Sequence, residues 1–336
     1  MRASFRALLA ALFSIGLLLT AGTGPAQADE VTPETAKPVR FISYNVCGAK
    51  CPLSFPQNAT DAQKDSTRAA WVSGFVAEVD SWDSDLVMLQ ELCYGQWKLI
   101  RDALAPAQRA GTASYDTVWG AALSSASGCD QWDEDDQRFG LAIFSKGAGS
   151  VVPLTRSVTF LPEVQGLDTE NRIVLCARTA LDGRTARACT THIDPHDATT
   201  ALQVPKVAEL VETGRQDGEP VVLAGDFNQV PEHQDMNPLY NHGTGSTGLF
   251  QEVDENDASQ FVRNPDCSDT TTVRCRSGED TATKTCSSRT PSNGKIDYLF
   301  LSYEWFKTVQ GDALPCTQGS SLSDHHLLRG AAAWEK

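Results

Sequence analysis

The 336-residue chain carries 28 Lys and Arg against 43 Asp and Glu, for a net charge of −15. That balance excludes general adhesion to nucleic acid or anionic lipid through the whole surface. It does not exclude a centre acting on phosphate esters, because a bound cation reverses the potential locally.

Residues 1–28 read as a secretory signal: Arg2 and Arg6 open it, Leu8 to Leu19 is a short apolar run, and Ala26-Gln27-Ala28 is a small-x-small cleavage site. No later stretch approaches the length of a membrane span, so the expected product is a secreted, extracellular protein. A loose polar leader, 29–38, precedes one domain over 39–336. All ten cysteines follow the signal, which favours disulfides over zinc in an exported protein.

In chain order, Val39 to Val46 is a buried strand. Trp71, Val72, Phe75, Val76 and Val79 recur at helical spacing and predict a helix over 62–79. A strand at 85–91 and a helix near 96–104 follow, so the first strand, helix and strand form a parallel crossover. Candidate strands at 115–121, 139–145, 151–155, 173–178 and 185–193 look antiparallel, the last two joined by Asp182-Gly183, a two-residue hairpin signal. Cys176 and Cys189 lie at equal distances from that turn. They therefore face each other as a non-hydrogen-bonded pair, close enough for a cross-strand disulfide.

A helix near 199–213 contains Pro205, a kink or a late start. Strands at 221–224, 295–302 and 327–333 complete the series. The pattern predicts an α/β protein with two packed mixed sheets covered by helices. Residues 263–292 break the rhythm and hold Cys267, Cys275 and Cys286, as a stapled loop would.

Six segments place a polar group at a strand end: Asn45, Glu91, His192, Asp226 with Asn228, Asp324 with His325, and Asp297 at a strand start. Any one alone reads as a cap or turn residue. The ordered set, with Gln90-Glu91, Gly225-Asp226-Phe227-Asn228 and Ser323-Asp324-His325, resembles the endonuclease/exonuclease/phosphatase superfamily over roughly 39–333. That group includes pancreatic-type deoxyribonucleases and bacterial sphingomyelinases. The resemblance implies a four-layered α/β/β/α sandwich and a metal-dependent phosphoric ester hydrolase.

It also implies roles. Glu91 is the principal Mg²⁺ ligand (Mn²⁺ as a substitute), with Asn45 beside it and Asp324 assisting. His192 and His325 flank the scissile phosphate. Asp297 orients His325, and Asn228 bonds a phosphate oxygen. The water-activating base is Asp226 or His325. His326, adjacent in a strand, points the other way, and His196, His233 and His242 read as loop residues.

The sequence departs from apurinic-site endonucleases at Cys47, where they carry a metal-associated Asp. A bridge from Cys47 to Cys51 or to Cys93 is expected instead. Arg138 and Arg172 are candidate phosphate contacts, and the acidic run 130–136 is a candidate structural Ca²⁺ site. Across 263–295, Arg263, Arg274, Arg276, Lys284, Arg289 and Lys295 outnumber Asp266, Asp269, Glu279 and Asp280. Arg274 and Arg276 therefore become candidates for the backbone of a polyanionic substrate.

Nucleic acid is the favoured substrate. A lipid headgroup is the alternative, with Tyr303, Trp305 and Phe306 as the only membrane-entering candidates, and a phosphomonoester or a non-catalytic binding module ranks lower. No stable protein partner is inferred.

Overall fold

A computed structural model describes residues 31–109, 111–167, 170–255, 276–282, 294–314 and 322–336. The expected signal, Arg274 and the cysteines at 267, 275, 286 and 316 lie outside these residues. Among those described, no helix is long and apolar enough to cross a membrane.

The elements are β1 (Val39–Asn45), α1 (Asp61–Trp82), β2 (Leu86–Cys93), α2 (Tyr94–Leu104), β3 (Tyr115–Leu123), β4 (Phe139–Lys146), β5 (Ser157–Phe160), β6 (Ile173–Leu181), β7 (Arg184–His192), α3 (Asp197–Gln216), β8 (Val221–Asp226), β9 (Phe250–Glu252), β10 (Asp297–Ser302), β11 (Val309–Ala313) and β12 (Leu328–Ala332). They form two six-stranded mixed sheets, ordered β11-β12-β1-β2-β4-β3 and β5-β6-β7-β8-β10-β9.

Side-chain alternation along the strands builds three cores. Phe41, Met88 and Ile143 of the first sheet meet Leu175, Val222 and Leu299 of the second. Ile42, Tyr44 and Leu89 face the other way, toward Trp71 and Phe75 of α1 and Ile100 of α2. Val174, Leu223 and Phe300 face Val204, Val207 and Val211 of α3. The layers are therefore helix, sheet, sheet and helix, the α/β/β/α sandwich expected.

Local chemistry explains the elements. Thr60 and Gln63 form a capping box at the start of α1. Asp182 and Gly183 both have positive φ (47° and 76°), as the hairpin turn requires. Cys176 and Cys189 pair in that hairpin with Cα atoms 4.1 Å apart and are bridged. The other bridges among described residues are Cys47–Cys51 and Cys93–Cys129, so Cys47 takes its near neighbour and not Cys93.

Several expectations are corrected. The stretch 151–155 makes one isolated bridge, Val151 to Thr179, and the strand forms later as β5. Pro153 has no N–H to give a ladder, and Leu154 sits at φ 62°. α3 begins at Asp197 and runs through Pro205, so the helix does not start late at the proline, which lies on its exposed face. The second half also contains a parallel crossover, β7-α3-β8. Residues 31–38 lie against the domain: Val31 is buried in the core between the first sheet and the helices α1 and α2, and Arg40 donates to the Pro33 carbonyl at 2.7 Å.

Candidate active site

Parallel pairs β1/β2 and β7/β8 bring four strand ends to one rim. Antiparallel β10 starts there opposite Asp226, and the approach to β12 returns there beside β1. Asn45, Glu91, His192, Asp226, Asp297 and His325 therefore converge although nearly the whole chain separates them. Gly225 permits this closeness: a Cβ there would lie 2.4 Å from the Thr191 carbonyl oxygen on β7.

Glu91 is aimed by a bulge. The β2/β4 register shifts between Leu89 and Leu92, and Glu91 takes φ 54°. Asn45 Nδ2 then spans the two sheets, donating to Glu91 Oε1 at 3.1 Å and Asp226 Oδ2 at 3.0 Å. Gln90 makes a second cross-sheet tie, donating to Thr190 Oγ1 at 2.9 Å. Ser323 secures the third approach: its hydroxyl donates to the Asn45 carbonyl (2.7 Å) and accepts from the His325 N–H (3.1 Å).

The histidines lie on either side of Asp226. His325 Nε2 is 3.7 Å from Asp226 Oδ2, and its Nδ1 is 2.8 Å from Asp297 Oδ2. Burial opposes charge on this ring, but Asp297, Asp226 and Asp324 outweigh it and push the pKa up to about 10. Burial and the Asp297 carboxylate in turn push Asp226 up to about 7.

His192 Nε2 is 3.5 Å from Asp226 Oδ2 and 3.8 Å from Glu91 Oε1. Behind it, Arg172 places a guanidinium nitrogen 2.7 Å from Nδ1. A guanidinium only donates, so Nδ1 accepts and the neutral ring carries its proton on Nε2, facing the carboxylates. Asn228 Nδ2, 3.2 Å from that nitrogen, donates instead to the Ile193 carbonyl at 2.9 Å. Burial, then Arg172 and His325, push His192 well below the ordinary histidine range.

Glu91, His192 and Asp226 offer ligand atoms within 4.8 Å of one another, as do Asp226, Asp297 and His325. Glu91 Oε2 is buried with no hydrogen-bond partner. A buried carboxylate oxygen left open beside a second carboxylate fits a hard divalent cation.

Other expected residues fall elsewhere. Asp324 is exposed and outside both groups. Arg172 is in the site but contacts His192 and Glu170. Arg138 pairs with Asp136 and lies over the Tyr94 ring, 3.8 Å from its centroid, so its charge is already engaged. Arg276 is buried, donating to Asn237, Ser246 and the His242 and Pro231 carbonyls over the Tyr240 ring; it is a brace and not a substrate contact.

In the acidic run, the candidate calcium position, Lys98 pairs with Asp133, Lys64 with Glu134 and Arg138 with Asp136, and among the described residues the run's carboxylates do not converge on a common point. Phe306 is buried against Phe41, so it is not available for membrane entry. Lys50, unremarked in the sequence reading, is exposed on the Cys47–Cys51 loop and close enough for its charge to act on His192 and Glu170.

The family model described as "Endonuclease/Exonuclease/phosphatase family" matches residues 42–325. Among solved structures, a mannosyl-6-phosphatase from Bacteroides thetaiotaomicron superposes with TM-score 0.58 and 16% identity, over 88% of this chain and 99% of that one. The human Nocturnin catalytic domain gives 0.56 and 15%, over 91% and 96%. Truncated Caenorhabditis elegans TDP2 gives 0.51 and 15%, over 88% and 96%. Identities this low speak to the fold. No curated protein matches the sequence.

Proposed function

The chain belongs to the endonuclease/exonuclease/phosphatase family, and on that premise we propose that this metal-dependent phosphoric ester hydrolase is a secreted, Mg²⁺-dependent phosphodiesterase acting on nucleic acid. A bound Mg²⁺ supplies charge neutralisation at the phosphoryl oxygens, and Glu91 with Asn45 is the place to hold it. Asp226 is the buried carboxylate facing both histidines, suited to take a proton from the attacking water. His325, held protonated by Asp297, donates to a phosphate oxygen or to the leaving oxygen. His192 offers Nε2–H and Asn228 its amide to the phosphate.

One observation carries the choice of nucleic acid over lipid. The aromatic group Tyr303, Trp305 and Phe306 follows the far end of β10, while Asp297 begins it. Six strand residues separate the two by about 17–20 Å, so aromatics there do not rest on a membrane beside the centre. Lys50, exposed on the disulfide-closed Cys47–Cys51 loop that follows Asn45, is the cation available to a flanking phosphate. Three disulfides among the described residues support an oxidising destination, and with it the reading of 1–28 as an export signal.

The test is a parallel assay on plasmid DNA, RNA, bis(4-nitrophenyl) phosphate, 4-nitrophenyl phosphate and sphingomyelin vesicles. Nucleic acid should be cut, EDTA should abolish the activity, and Mg²⁺ or Mn²⁺ should restore it. Lys50→Ala should weaken use of long DNA and flatten its salt dependence while sparing the small diester. Activity confined to sphingomyelin or to the monoester overturns the proposal, and chelator-resistant turnover overturns the metal assignment.

A further inference from the structure

Residues 276–282 belong to none of the strands that carry the catalytic groups, yet they touch both members of the Asp297–His325 pair. The reason lies in how β10 is covered. β8 runs along one side of it, from Asp297 onward. On the other side β9 reaches only Phe300 to Ser302, so among the described residues no strand covers the start of β10.

Thr281 occupies that gap. Its Oγ1 accepts from the backbone N–H of Ile296 at 3.0 Å and of Asp297 at 2.9 Å. A hydroxyl oxygen has two lone pairs, and both are engaged. The carbonyl of the same residue accepts from the His326 N–H at 2.6 Å, and the next residue, Ala282, forms a β-bridge with His325. Thr281 is fully buried.

The segment is itself anchored. The Glu279 N–H donates to Asp254 Oδ2 at 2.9 Å, and Glu279 Oε2 accepts from the Ala313 N–H at 2.8 Å. Lys295, just ahead of the pair's carboxylate, is buried between Glu252 (3.2 Å) and Asp254 (3.0 Å). Arg276 holds the near end.

We propose that Thr281 is a positioning residue for catalysis: its hydroxyl sets the backbone that presents Asp297, its carbonyl sets the backbone that presents His325, and together they fix the 2.8 Å contact between the two side chains. This rests on the reading of that pair as part of a phosphodiester-cleaving centre. Replacing the hydroxyl with a methyl leaves two buried N–H groups unpaired, and the start of β10 moves to find partners. Serine keeps the acceptor.

The test compares the full-length protein with Thr281→Val and Thr281→Ser, using bis(4-nitrophenyl) phosphate with Mg²⁺ across pH, and NMR of the His325 Nδ1 proton without substrate. Thr281→Val should lower kcat about 10- to 100-fold, the usual range for an outer partner of an active-site group, with KM little changed. Its alkaline limb should move to lower pH and the Nδ1 proton resonance should move upfield. Thr281→Ser should restore both.

A valine variant with wild-type kcat and an unmoved resonance overturns the proposal, as does a serine variant that behaves like valine. If wild type hydrolyses no phosphodiester, the functional reading fails, and the resonance alone then decides the role of Thr281. If valine prevents folding, Thr281→Ala is held to the same outcomes.

Discussion

The surroundings of His192 and His325 differ in one respect that decides their chemistry. Both rings are buried, and both direct Nε2 at the same Asp226 oxygen, at 3.5 and 3.7 Å. Behind His325 stands a carboxylate, Asp297, and behind His192 stands a guanidinium, Arg172. The anion holds a proton on one ring; the cation denies a second proton to the other. One side chain type thereby supplies a charged donor and a neutral donor on two sides of a single carboxylate.

The largest expected effect comes from removing the shared centre or the charged donor. Asp226→Ala and His325→Ala should each lower kcat about 10²- to 10⁴-fold with the fold retained, as circular dichroism will report. Substantial turnover in either variant breaks the assignment.

Asp297→Asn should have a smaller effect and a diagnostic one. His325 is pushed up to about 10 by carboxylates, so activity that needs its proton falls as pH rises through that value. Without Asp297 the alkaline limb of kcat/KM should move to lower pH, and an unmoved limb would assign that limb to another group. Arg172→Met should act on the opposite side. His192 stays held down by burial but should become easier to protonate than in the wild type, with kcat/KM reduced about tenfold. Ring ¹⁵N shifts that still show a single Nε2–H tautomer would break the comparison. The smallest effect belongs to His326→Ala, which should leave kcat/KM within about twofold because its ring lies outside the group around Asp226.

The difference between the histidines was only half legible in the sequence. Asn45, Glu91, His192, Asp226 and His325 could be read because each closes or adjoins an apolar run, and a strand end is where a two-sheet protein presents polar groups. Asp297 behind His325 came with the family resemblance. The role of Arg172 did not: the hairpin spacing that pairs Cys176 with Cys189 also brings 172 beside His192, but it does not say that the guanidinium turns onto Nδ1.

Thr281 was invisible for a similar reason: it acts through backbone groups far away in sequence. Arg276 was misread because charge counting records a guanidinium but not its burial. The sheets were legible from alternation and from Asp182-Gly183, whereas β9 and β11, at the sheet edges, carry too few apolar residues to stand out.

The position of β12 between β11 and β1 also fixes when the molecule can first act. Synthesis delivers Asn45 and Glu91 first, then His192 and Asp226, and His325 only after all of these. A chain on which His325 has not yet been made therefore carries fragments of a centre and no centre. Competence arrives when β12 slides in beside β1 and Ser323 closes on Asn45. A chain stopped short of Ser323 lacks that step altogether, so incomplete copies are silent by construction.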